Sequence, residues 1–151
     1  MARRERKFLT LKWLEKHDAC QPARQHFESV FGQKATISAV VKELHRKEPL
    51  WMGTYIYDRD LWEAWLLTQK PSLTKALVKY GARVNVRGGE ALYITIYYRR
   101  MRNVLKTLIQ CGAEVRPDMI TMAENDENHA LAKLLTETMN KQLARRKKVT
   151  N

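Results

Sequence analysis

Near its start the chain brings a thiol, two imidazoles and a carboxylate into one short stretch, "HDACQPARQH", through His17, Asp18, Cys20 and His26. Such side chains can hold zinc or form a Cys–His nucleophile pair. A zinc site wants four convergent ligands, normally as two well-spaced pairs, and a Cys–His pair needs a positioned site around it. This spacing writes neither, so the histidines are expected at the surface and the cysteine in the interior. The "VRGGE" segment, Val86 to Glu90, has paired glycines but lacks the lysine and Ser/Thr of a phosphate loop, and a hairpin turn explains both glycines. The expectation is a chain with no catalytic residues, no metal site and no cofactor. What remains is recognition chemistry, in Arg99, Arg100 and Arg102 beside Tyr93, Tyr97 and Tyr98. Guanidinium groups grip carboxylates or phosphates in a fork, and tyrosines can stack on bases.

The elements that position these residues read as helices separated by short breaks. "FLTLKWLEKHDAC" puts Leu11 and Leu14 on one helical face, with Thr10 available as a cap and Trp13 beside them. "QPARQHFESVFG" carries Pro22 at a tolerated first-turn position, apolar Phe27, Val30 and Phe31, and Gly32 as a left-handed stop. A third helix starts at Thr36, buries Ile37, Val40, Val41 and Leu44, and ends before Pro49. "LWMGTYIYDRD" alternates apolar with small or polar residues around Gly53 and reads as an extended or irregular connection. Its Trp51, Tyr55 and Tyr57 either close a seam between helices or form a second contact patch.

From Leu61 the chain repeats itself. "KYGARVNV", Lys79 to Val86, is followed 31 residues later by "QCGAEVRP", Gln110 to Pro117, and each follows a helical run, "LTKALV" in one case and "VLKTLI" in the other. A third unit contains Met119, Ile120 and Met122, a polar break, then Leu131, Leu134 and Leu135, with no closing glycine. The second unit reads one residue longer than the first between helix start and glycine. These segments resemble ankyrin repeats, two short antiparallel helices, a glycine and an Ala-Asp-Val-Asn hairpin, although "DLWEA" and "EALYI" replace the family's Thr-Pro-Leu-His start. The implied fold is all-α: an ankyrin-like stack of about three helix pairs over residues 58–140, after an N-terminal helical module of residues 1–57 and before a basic tail of residues 141–151. Stacking is required physically, because one such unit cannot bury its apolar faces alone and the terminal units must be modified to meet water.

Charge then bounds the function. The net charge is +12, of which +8 lies in residues 1–7 and 141–151, as is common for solvated ends. Inside the body a basic stretch from Lys79 to Lys106 precedes an acidic one from Thr107 to Asn140. In an ankyrin-like stack the hairpin tips and first-helix edge project together, which places Arg83, Asn85, Arg87, Tyr93, Tyr97, Arg99, Arg100 and Arg102 on the working surface. The partner expected there is a protein or nucleoprotein complex with an acidic surface. Nucleic acid alone, bound through the tails and middle arginines, is the alternative. Cys20 and Cys111 are too far apart in sequence to suggest a disulfide framework, and the apolar run after the basic start is broken by Lys12, Glu15 and Lys16, so a cytoplasmic protein without a membrane span is expected. The N-terminal "LKWLEKHDAC", "HFESVFG" and "ATISAVVKEL" are similar to a helical module of uncharacterised proteins from bacteria and their viruses. That module has no assigned chemistry to carry over, and the similarity implies only a bacterial or phage origin. Together with the small size, the basic charge and the expected lack of a catalytic site, it leads to the expectation of an inhibitor carried by a phage or mobile element against a host defence or nucleoprotein complex, such as an anti-CRISPR, or else a bacterial ankyrin adaptor. The sequence leaves the oligomeric state open.

Overall fold

Two threonines begin helices at the N-terminal end as their spacing suggests: Thr10 Oγ1 accepts the Trp13 N–H at 3.0 Å and Thr36 Oγ1 accepts the Ala39 N–H at 3.1 Å. They head α1 (Leu11–Lys16) and α3 (Ile37–Leu44), with α2 (Gln21–Phe31) between them. The computed structural model describes residues 7–48, 50–52, 55–98 and 102–150, with side chains for all of these but 50–52, 55–57 and 149–150.

The chain is mostly helical, but the described residues also form four short strands. Strand β1 (Phe8–Thr10) pairs antiparallel with β2 (Lys34–Thr36), which sets the two capping threonines at opposite ends of the pair, Thr36 across from Phe8 and Thr10 across from Lys34. Strands β3 (Leu50–Met52) and β4 (Tyr55–Tyr57) form a second antiparallel pair, with Trp51 opposite Ile56. Of the two readings, extended or irregular, the connection takes the extended one over its described residues, as two paired strands of aromatic and other apolar residues on either side of Gly53 in the sequence. Trp51, Tyr55 and Tyr57 lie on it, and their side chains are outside the described ones.

Beyond these strands come α4 (Arg59–Leu67), α5 (Pro71–Lys79), α6 (Val86–Tyr97), α7 (Arg102–Gln110), α8 (Pro117–Asn125) and α9 (His129–Thr150). Each odd helix packs on the even one before it, α4 packs on α6 and α6 on α8, and α5 packs on α7. First helices thus line one side and second helices the other, while α3 covers the open end at α4 and α5. The core runs through this stack without a break, from Leu67, Leu73 and Leu77 through Leu92 and Leu108 to Leu135, all fully buried. The segment expected as a separate tail from residue 141 is instead the second half of α9. No helix among the described residues is long and apolar enough to cross a membrane.

The 31-residue repeat is visible in the hydrogen bonds. Ala82 N–H reaches Leu77 O and Ala113 N–H reaches Leu108 O, both at 2.9 Å, while Gly81 and Gly112 donate to Val78 and Ile109 at 3.0 Å each. Both glycines are left-handed, with φ of +102° and +100°. Helices α5 and α7 also begin 31 residues apart, at Pro71 and Arg102, while the turn expected around Arg99 to Met101 lies outside the described residues. The run Arg87, Gly88 and Gly89, all with positive φ, turns the chain before the regular part of α6 starts.

A side chain added at Gly81 or Gly112 would meet nothing within 4 Å, so only the backbone angle opposes substitution. Valine at either position is expected to destabilise the protein by about 1–3 kcal/mol, the cost of holding a β-branched residue in that region. Equal urea midpoints for parent and variants would remove the glycines from the architecture.

Candidate functional site

The hairpin residues expected on the working surface are bound up with their neighbours. Glu63 is fully buried on α4, and its carboxylate accepts from Arg83 N at 2.9 Å, Arg83 Nε at 3.0 Å and His45 Nε2 at 2.6 Å. The other end of the Arg83 fork reaches Asp60 at 2.7 Å. Arg87 pairs with Asp58, whose other oxygen caps α4 by accepting the Asp60 N–H. Asn85 donates to Gly112 O at 3.2 Å and accepts the Glu114 N–H at 2.8 Å, which ties one hairpin to the next. On the far side of that hairpin Gln142 accepts from Val115 N and donates to Ala113 O, at 3.0 and 2.8 Å. Arg83, Asn85 and Arg87 thus hold successive units together, and about half of the Arg83 and Arg87 side-chain surfaces still face water.

The rest of the expected surface divides differently. Arg99 and Arg100 lie outside the described residues, and Arg102 is exposed at the start of α7. Tyr97 and Tyr98 are 60% and 58% exposed, set edge to face at 5.1 Å, and Tyr97 stacks on half-buried Tyr93 at 6.4 Å. A tyrosine pair this exposed at the end of α6 contributes little to the core.

Tyr93 and Tyr97 lead into a cleft of about 510 Å³ between the N-terminal module and the first-helix side of the stack. Phe27 and Phe31 of α2, Trp62 and Trp65 of α4, and Tyr93 and Tyr97 of α6 line it together. The size falls within the roughly 300–1,000 Å³ of ligand-binding clefts, and the walls are mainly apolar. Sequence reasoning missed it, because its walls come from helices more than sixty residues apart along the chain.

One charged network lines the cleft. His26 is buried, its Nε2–H donates to a Glu43 carboxylate oxygen at 3.0 Å, and its ring meets Trp62 edge-on at 5.0 Å. Arg46 and Arg59 also donate to Glu43, at 3.3 and 3.2 Å. Burial opposes the Glu43 charge, but hydrogen bonds from Arg46, Arg59 and His26 overcome it and hold the carboxyl below its ordinary value. For His26, burial outweighs the bond to Glu43 and, with the charges of Arg59 and Arg46, keeps the imidazole below its ordinary 6.5. The ring is neutral at neutral pH, so Nε2 carries its single proton toward the carboxylate.

The expected arrangement of surface histidine and interior cysteine is therefore reversed. His26 sits beside Phe27 on the inward face of α2, whereas Cys20 is the exposed residue preceding that helix. His17 donates from Nδ1 to Trp13 O at 2.9 Å and stacks on Trp13 at 4.0 Å. Burial pushes the Cys111 thiol up, with Lys75 opposing, which disfavours the reactive thiolate. Among the described residues no group of three or more His, Cys, Asp or Glu is placed to hold a metal ion.

The His26 and Glu43 shifts act on stability in the same direction. Both groups bind protons more readily when unfolded, so stability is lost as pH falls below about 6.5 for His26 and below about 4.5 for Glu43. His26→Gln is expected to remove the upper part of this loss and leave the lower. Urea midpoints measured between about pH 8 and pH 4 test it, and superimposed profiles would show that His26 does not titrate in this way.

Set against models of protein families, curated proteins and solved structures, the chain matches none of them.

Proposed function

We propose that this protein is a non-enzymatic binding module of ankyrin-like helix pairs that blocks a protein or nucleoprotein complex by occupying its surface. The observation that carries this reading is the exposed Tyr97–Tyr98 pair at the mouth of an aromatic cleft, with Arg102 exposed on the next helix. Contiguous exposed aromatics mark interaction sites, and tyrosine and arginine dominate binding energy where they become buried. The ankyrin-like assignment is supported by first helices packed on first helices and by left-handed glycines repeating at 31 residues. A non-enzymatic role is supported by the commitment of His17 and His26 to bonds inside the N-terminal module.

On this reading Tyr93, Tyr97, Arg99, Arg100 and Arg102 form the contact surface, and the exposed edges of Arg83 and Arg87 flank it. An acidic face of the partner would be drawn to these arginines, and a phage origin fits the similarity of the N-terminal module. The test is capture of partners from bacterial lysate, with and without nuclease. A partner retained after nuclease treatment and lost with Tyr97→Ser/Tyr98→Ser supports the proposal, with affinity expected to fall at least tenfold, or about 1.4 kcal/mol. If binding vanishes with nuclease and purified DNA or RNA replaces the partner with a steep salt dependence, direct nucleic-acid binding is the function instead.

A further inference from the structure

The cleft has a charge opposite to that of the molecule around it. The chain carries a net +12, yet among the described residues the charged ones of the cleft wall are Asp18, Glu43 and Glu90, with no lysine or arginine. Glu43 is already satisfied by Arg46, Arg59 and neutral His26. Asp18, exposed after α1, and Glu90, half-buried at the start of the regular part of α6, have no ion pair among the described residues. Two unsatisfied carboxylates therefore flank a space walled by Phe27, Phe31, Trp62, Trp65, Tyr93 and Tyr97.

Aromatic faces and carboxylates together favour a cation carried on an apolar stem. The ring faces attract positive charge, the walls cover methylene groups, and the acids neutralise the head. We infer that the cleft binds a partner segment that combines apolar side chains with lysine or arginine. A chain segment fits better than a small molecule because the aromatic lining reaches the open surface at Tyr97 and Tyr98, both well exposed, and a ligand held only among the buried lining residues would leave that edge bare. The inference rests on the reading of the chain as a binding module and refines it. A nucleoprotein complex offers both signs at once, phosphates or acidic side chains for the arginines and a basic protein segment for the cleft.

Three short, tryptophan-free, fluorescein-labelled peptides test this. They share one amphipathic leucine pattern, with lysine, glutamine or glutamate at the polar positions. The lysine peptide is expected to bind the full chain, to alter tryptophan emission through Trp62 and Trp65, and to weaken as salt is raised. The glutamate peptide is expected not to bind, and the glutamine peptide to bind more weakly than the lysine one. Asp18→Asn/Glu90→Gln, checked by circular dichroism, should cost the lysine peptide at least tenfold in affinity. Asparagine suits the left-handed backbone at Asp18, where φ is +56°, so this change leaves the turn intact. Equal binding of all three peptides, or no binding of any, overturns the inference, as does unchanged affinity in the double variant. Displacement of the peptide by butylammonium at equal concentration would make the occupant a small cation and overturn the assignment to a segment. Self-association that depends on Asp18 and Glu90 would make the occupant a second copy. Should lysate capture succeed through Tyr97 and Tyr98 while the peptides fail, the binding-module reading stands and this inference falls.

Discussion

Replacing Glu63 by alanine is expected to destabilise the protein by about 3 kcal/mol, near the lower end of what removing one partner of a buried ion pair costs. Its carboxylate is fully buried and accepts the Arg83 backbone N–H, the Arg83 guanidinium and His45. Removal leaves that N–H without its acceptor and opens a void on α4. The lower end applies because the Arg83 side chain is 49% exposed, so water can recover its charge. Glu63→Gln should cost less, since the amide keeps one oxygen acceptor and most of the volume, but it also turns a donor toward other donors. For a chain of this size each kcal/mol lowers the melting temperature by about 2–4 °C, so Glu63→Ala should melt several degrees below the parent. A melting temperature within a degree of the parent's would show that the three donors find other acceptors.

Leu77→Ala and Leu108→Ala are each expected to cost about 2–5 kcal/mol, because both side chains are fully buried where α5 packs on α7. They are equivalent residues of successive units, 31 apart, and the carbonyl of each accepts the N–H of the alanine after the turn. Leu108→Ala also tests how the units are coupled. The four tryptophans are Trp13, Trp51, Trp62 and Trp65, so tryptophan emission reports the N-terminal half, while far-ultraviolet circular dichroism reports helices throughout. The continuous core and the bonds between hairpins lead us to expect both signals to shift together in Leu108→Ala. Helix loss ahead of the emission change would mean that α6 to α9 melt as a separate unit.

Helices, their caps and their stops were legible in the sequence because they depend on neighbouring residues. Thr10 and Thr36 cap as their spacing suggests, Pro22 and Pro71 sit in first helical turns, and Gly81 and Gly112 take the left-handed angle their repeated phrase implies. The apolar spacing of Leu73, Leu77, Leu105 and Leu108 likewise identified core residues. Three-residue strands barely display a period, so β1 and β2 went unread, while the alternation around Gly53 marked the β3 and β4 segment only as an extended or irregular connection. The partners of charged side chains were also hidden, since each pairing depends on where two distant helices cross. Residue type suggested that Arg83 and Arg87 were available to a partner, whereas packing set them beside Glu63 and Asp58. Packing also buried His26, exposed Cys20 and brought Phe27, Trp62 and Tyr93 around one cleft. Local preference, set by neighbouring residues, determined the helices of this protein and where they end. Only the tertiary arrangement that brings α2, α4 and α6 to one cleft decided that a basic chain would carry an aromatic cleft lined with carboxylates, because its apolar walls and its unpaired carboxylates come from segments far apart in the chain.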